Sequence, residues 1–199
     1  MSVFVGELIG QDSAWLRCLQ WFAQLAEQEG VVDAPDPAPL VDRLRNGDQD
    51  AWDELVTDLS PRLFNHLRHS TPTEQDAEDA LNETFLAAVR SIQSYDGGSS
   101  LTTWLFAIAR FKIADFFRRS KATEEIPETM HADDATMSLE FREALNSLPE
   151  IMRQVLLLRY YQGFSVDETA NIIGRTYSAT ESLLSRARTA LAKAINGPS

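Results

Sequence analysis

The run from Leu145 to Ile195, LNSLPEIMRQVLLLRYYQGFSVDETANIIGRTYSATESLLSRARTALAKAI, constrains the chain more than any other segment. It divides at Gly174-Arg175-Thr176 into two stretches of helical pattern, and the second carries Arg186, Arg188 and Lys193. Ser165 followed by Glu168 is a capping box, in which each side chain satisfies a backbone N–H that the helix start leaves free. Val166, Ala170 and Ile173 then recur at helical spacing and give that helix one apolar face. A short glycine-containing turn followed by a helix with a basic end is the sequence form of a DNA-reading helix-turn-helix. Either Thr176 or Ser178 caps the second helix.

Charge works against this motif at first sight. The 199 residues carry a net charge of −12, and an acidic body repels the duplex whose phosphates supply most non-specific affinity. The distribution matters more than the sum, because residues 139–199 hold seven basic and six acidic side chains. Arg110, Lys112, Arg118, Arg119 and Lys121 form a second basic cluster. Such a chain is expected to touch DNA locally and to bind it weakly without a helper. No run approaches the roughly 18 apolar residues that a membrane span needs, and the first residues lack the basic and then apolar pattern of a secretory signal. The single cysteine, Cys18, cannot close an internal disulfide, which suits a reducing cytoplasm.

The expected fold is all-α, with two small helical domains on a flexible linker and an N-terminal helical extension. Residues 1–39 form the extension, with a helix from about Ser13 to Gln28 whose stripe is Trp15, Leu19, Phe22 and Ala26. It ends in the proline-rich DAPDPAP linker, Asp33 to Pro39, read as extended. Residues 40–119 are helical almost throughout, 120–138 read as a polar, acidic tether, and 139–196 form the second domain. Thr73 with Asp76 caps a long helix on which Ala77, Ala80, Leu81, Thr84, Phe85, Ala88, Val89 and Ile92 line one face. Glu78, Asp79, Asn82, Glu83 and Arg90 lie opposite. Asp96-Gly97-Gly98 marks a turn, and Ser99 or Ser100 caps the next helix. That helix interleaves Trp104, Phe106, Phe111, Phe116 and Phe117 with the basic cluster, a pattern that single-stranded DNA binding uses and that a packed core also produces.

Two motif sets in this order resemble the extracytoplasmic-function (ECF) branch of bacterial RNA polymerase sigma factors. The carrying residues are DAEDALNETFLAAVRSI at Asp76 to Ile92, TWLFAIAR at Thr103 to Arg110, LPEIMRQVLLLRYYQGFSVDETANIIG at Leu148 to Gly174, and SRAR at Ser185 to Arg188. The resemblance spans about Leu40 to Ile195. It implies that the first domain, sigma region 2, docks on the clamp helices of the largest polymerase subunit through Asp76, Glu78, Asp79, Asn82, Glu83 and Phe85. Carboxylates on one helix face suit a basic partner helix, steered by complementary charge. The resemblance also implies minus-ten recognition by Tyr95, Ser99, Ser100, Thr102, Trp104, Arg110, Lys112, Arg118 and Arg119. Sigma region 4 then reads the minus-thirty-five element with Arg175, Thr176, Tyr177, Ser178, Thr180, Glu181, Ser182, Ser185, Arg186 and Arg188. Core RNA polymerase (clamp and flap), promoter DNA and an anti-sigma factor are the implied partners of a cytoplasmic bacterial monomer.

The chain departs from the family pattern at Thr102, Ala107, Phe111, Glu181 and Leu183, where charged or polar residues are usual, and at Tyr177-Ser178. Glu181 either accepts a hydrogen bond from cytosine N4 or weakens promoter contact. A sigma-like decoy that binds a regulator without initiating transcription is therefore the first rival, and a stand-alone helix-turn-helix regulator the second. The extension either packs on region 2, masks its DNA surface, or binds a regulator. His66 and His69 lie one helical turn apart without a cysteine or carboxylate at supporting spacing, so no metal is expected. Neither a phosphate-cradling loop nor a catalytic arrangement stands out, and neither an enzyme nor a cofactor is expected.

Overall fold

The computed structural model describes residues 37–122 and 139–196. The helix expected within Ser13 to Gln28 and the tether reading of 123–138 lie outside the described residues. Among those described, all regular structure is helical. Helix α1, Pro37–Arg45, begins inside the segment read as an extended linker. Proline tolerates the first helical turn, where its missing N–H has no intrahelical acceptor to lose. Helix α2 runs Gln49–Arg68, capped by Asp48, whose carboxylate accepts from the Ala51 N–H at 3.2 Å. Helix α3 runs Glu74–Ser91, ends in a 3-10 turn over Ile92–Ser94, and α4 runs Leu101–Ala122. The last is longer than the domain limit read at Arg119.

In the first domain α2, α3 and α4 pack together, with α1 laid against α2. Trp52 Nε1 donates to the Leu44 carbonyl at 3.2 Å and ties α1 to α2. Ala77, Ala80, Thr84, Ala88 and Ile92 form the buried face of α3, as their spacing requires. Val89 does not join them. It is 51% exposed, and Leu86 is 56% exposed beside it.

The second domain comprises α5 (Leu139–Asn146), α6 (Glu150–Leu156), α7 (Val166–Ile173) and α8 (Tyr177–Asn196). Helix α6 widens at its end into a π-helical stretch, Leu157–Tyr161, closed by the Gln162 N–H on the Leu157 carbonyl at 2.8 Å. Ser165 and Glu168 make the expected capping box on α7. Gly174 ends that helix at φ 66°, a left-handed conformation that glycine adopts without the Cβ penalty.

The two domains are in contact, and one apolar core runs through both. Helix α7 lies against α4, and the fully buried Phe106 of α4 meets Phe164 edge-on, with ring centroids 4.8 Å apart. Asn65 donates to the Tyr161 hydroxyl at 2.6 Å, and His69 stacks edge-on against the same ring at 4.8 Å. His66 is wholly buried beside Phe106, and neither ring nitrogen has a hydrogen-bond partner among the described residues. The histidine pair read as a remote metal candidate thus belongs to a packed interface.

Candidate nucleic-acid interface and partner-docking helix

The outer face of α3 presents Glu78, Asp79 and Asn82 to solvent, with Glu83 and Phe85 partly covered. Leu86, which the sequence reading left unassigned, and Val89, which it placed on the apolar face, stand exposed on the same helix and add an apolar patch. An exposed apolar centre bordered by charge is the usual anatomy of a protein-binding surface. Asp76 is different. Its carboxylate accepts from the Thr73 N–H at 3.1 Å and the Thr73 hydroxyl at 2.5 Å, while the Asp76 N–H donates to that hydroxyl oxygen at 3.1 Å. Those bonds hold the helix start, so Asp76, partly covered, is the capping residue of α3. Glu83 reaches across to α4 and pairs with Lys112 at 3.2 Å. The Lys112 charge is therefore partly neutralised within the domain.

The turn before α4 is built from its own side chains. Asp96 accepts from the Gly98 N–H at 2.8 Å, and Gly97 sits at φ 76°. The Tyr95 ring is buried, packs on Trp104 at 5.2 Å between centroids, and sends its hydroxyl to the Ser99 carbonyl. Burial, then the nearby Asp96 charge, pushes the Tyr95 hydroxyl pKa up. Tyr95 shapes the loop and is not displayed to DNA, which corrects its expected role. Ser100, not Ser99, caps α4, accepting from the Thr103 N–H at 3.1 Å. Ser99, Thr102 and Trp104 remain partly open, and Arg118 and Arg119 are exposed. Arg118 pairs with Asp115 at 2.7 Å.

Phe111 is 60% exposed, and the Arg110 guanidinium lies over its ring at 5.3 Å from the centroid. The polar residue usual in the family is thus replaced by an open aromatic face bearing a cation, which suits base stacking. Burial lowers the Arg110 pKa, opposed by Glu150 and reinforced by Arg175. Both of those neighbours belong to the second domain.

On the helix-turn-helix, Thr176 is the cap of α8, accepting from the Ala179 N–H at 3.3 Å. Arg175, Thr176, Tyr177, Ser178, Glu181, Ser182, Ser185, Arg186 and Arg188 are exposed along the turn and one side of α8. A hydrogen bond to Glu181, then its charge, pushes the Tyr177 hydroxyl pKa up, so that carboxylate is engaged within the chain. Thr180 is wholly buried and donates to the Thr176 carbonyl at 2.9 Å. It is a helix-packing residue, and its expected DNA contact is corrected. Leu183 is 3% exposed, so its apolar character serves the core and no DNA-facing charge has been lost there.

Comparison with known proteins agrees with this geometry. A family model described as Sigma-70 region 2 matches residues 55–123, and one described as Sigma-70, region 4 matches residues 138–191. The chain is 32% identical over 156 residues to the ECF RNA polymerase sigma factor SigF of Caulobacter vibrioides, covering 74% of this chain and 87% of that one. It is 30% identical over 168 residues to the ECF RNA polymerase sigma factor BldN of Streptomyces coelicolor, covering 77% of this chain and 64% of that relative. Among solved structures, the sigma factor RpoE bound to the anti-sigma factor NepR from Bartonella quintana matches with a TM-score of 0.63 at 26% identity, over 74% of this chain and 98% of that one. CnrH in complex with the cytosolic domain of CnrY also gives 0.63, at 25% identity over 80% and 97%. None of the described helices is long and apolar enough to cross a membrane. With both sigma domains in family order and a helix-turn-helix at the end, the chain belongs to the ECF RNA polymerase sigma factors, the sigma-70 proteins that direct promoter-specific transcription initiation.

Proposed function

We propose that this chain recruits core RNA polymerase through α3 and delivers it to a restricted set of promoters in the bacterial cytoplasm. The outward face of α3 carries the reading: exposed Glu78, Asp79 and Asn82 are followed along the helix by exposed Leu86 and Val89 in the segment matched by the region 2 model. Acidic side chains beside an apolar patch fit an arginine-bearing helix pair such as the polymerase clamp, with charge steering the encounter and the apolar patch holding it. Trp104 and the Arg110–Phe111 pair are the candidate surface for the unpaired minus-ten strand. Extruding a base costs a few kcal/mol, which an aromatic platform can return as stacking. Arg175, Ser178, Ser182 and Arg186 on α8 are the candidates for the major groove at the minus-thirty-five element.

The factor supplies recognition and polymerase supplies the chemistry. The chain acts as a monomer, and an anti-sigma factor is its expected regulator, as the similar RpoE structure is a complex of that kind. The decoy reading loses one support, since Leu183 is a core residue. Co-purification with core polymerase, followed by run-off transcription over genomic fragments, tests the proposal. Product dependent on both components supports it. A chain that binds core yet starts no transcript at any fragment is a decoy.

A further inference from the structure

We propose that Glu181 is a specificity-determining residue: its carboxylate accepts from a cytosine N4 amino group in the major groove of the minus-thirty-five element, and Tyr177 positions it. The inference rests on the sigma-factor reading above and adds a base that this chain selects. On α8, Thr180, Leu183, Leu184, Ala187 and Leu191 are buried, which turns the opposite side of the helix outward. The start of that side displays Tyr177, Ser178, Glu181, Ser182 and Ser185, all exposed. A helix-turn-helix contacts base edges with the N-terminal residues of this helix. No cation stands in that stretch, because Arg186, Arg188 and Lys193 all follow it. The half of α8 placed to read bases thus offers three hydroxyls, a phenol and one carboxylate, and the cations of the other half suit phosphates. Beside three short serines, Glu181 has the longer reach.

An ionised carboxylate only accepts hydrogen bonds. In the major groove guanine and thymine present acceptors, adenine a donor beside its N7 acceptor, and cytosine the N4 donor by itself. Cytosine is therefore the base that a carboxylate meets without repulsion from a neighbouring acceptor. Glu181 is available for this contact, since no salt bridge among the described residues engages it. Tyr177 lies four residues earlier on the same helix face, is 47% exposed, and donates its hydroxyl hydrogen to the Glu181 carboxylate. One phenol hydrogen occupies a single lone pair of about four that the two oxygens carry. The bond leaves the carboxylate able to accept again, and it lowers the side-chain freedom to be lost on meeting a base.

The test takes a genomic fragment that the holoenzyme transcribes, randomises its minus-thirty-five element, and sequences the pool that the holoenzyme retains. Wild type should enrich cytosine about tenfold at one position, the effect of one good base contact. Glu181→Gln should move that position to adenine, which an amide reads through N6 and N7 together, and leave the others unchanged. Glu181→Ala should lose the preference at that position alone. Tyr177→Phe keeps the ring and removes the hydroxyl, so cytosine should stay preferred with its enrichment about threefold lower. Pools from both Glu181 variants that match wild type overturn the contact. So does a Glu181→Ala chain that binds every sequence more tightly by one common factor, the mark of a carboxylate that only repels phosphates. A Tyr177→Phe pool that matches wild type, or that weakens at every position alike, overturns the positioning role. No transcript from any fragment, with or without the substitutions, sinks the promoter-directing reading instead.

Discussion

Replacing His66 with leucine should remove a defined part of the acid sensitivity of this fold. Burial pushes the His66 imidazole down to about 3 from an ordinary 6.5, with the neighbouring His69 and Arg62 charges adding to the effect. The folded state thus refuses a proton that the unfolded chain accepts below about pH 6.5. Stability from this site is complete above that pH and is lost as pH falls toward 3. At about 1.36 kcal/mol per unit, the loss between pH 7 and pH 5 comes to roughly 2 kcal/mol. Leucine fills a similar volume, titrates nowhere, and removes two buried ring nitrogens that lack partners. The His66→Leu chain should therefore equal or exceed wild type at pH 7. Urea unfolding followed by tryptophan fluorescence at both pH values gives the double difference. Wild type should lose about 2 kcal/mol more than the variant, since carboxylate effects are common to both. Equal losses, within about 0.5 kcal/mol, refute burial of a neutral His66.

Three further outcomes separate the surfaces. Leu86→Asp with Val89→Asp should weaken core polymerase binding about tenfold or more by biolayer interferometry, with helicity by circular dichroism unchanged, because these side chains are already exposed. Asp76→Ala should cost about 1 kcal/mol of stability through the lost cap, with polymerase affinity unchanged, whereas Asp79→Ala should show the reverse pattern in the same two assays. Phe111→Ala should weaken holoenzyme binding to a single-stranded minus-ten oligonucleotide by about 1–3 kcal/mol in fluorescence anisotropy. Unchanged affinity there would place the ring outside the strand path.

Much of this fold was legible because the deciding signals are local. The Thr73–Asp76 and Ser165–Glu168 boxes and the left-handed Gly174 act within a few residues, and the helices begin and end where they stand. Facing was less legible. Thr180 and Leu183 sit in the recognition helix, yet its three- and four-residue spacing turns both into the core. Val89 matched the apolar period of α3 but lies at the edge of that face, where packing ends. Nothing in the sequence marked His66 and His69 as buried or Arg62 and Asn65 as partly covered, since a polar helical stripe ordinarily means solvent. Only the second domain, about 100 residues later in the chain, covers it. The π-helical turn that makes this contact has no sequence signal of its own.

Mobility shift of a promoter fragment, run with the chain alone, core polymerase alone and the two together, tests the central claim most directly. With a net charge of −12 and α7 of its helix-turn-helix packed on α4, the chain alone should leave the fragment unshifted at physiological salt. A promoter-specific complex should form only when both components are present. Tight duplex binding by the chain alone, or no complex with polymerase at any promoter, would contradict the account.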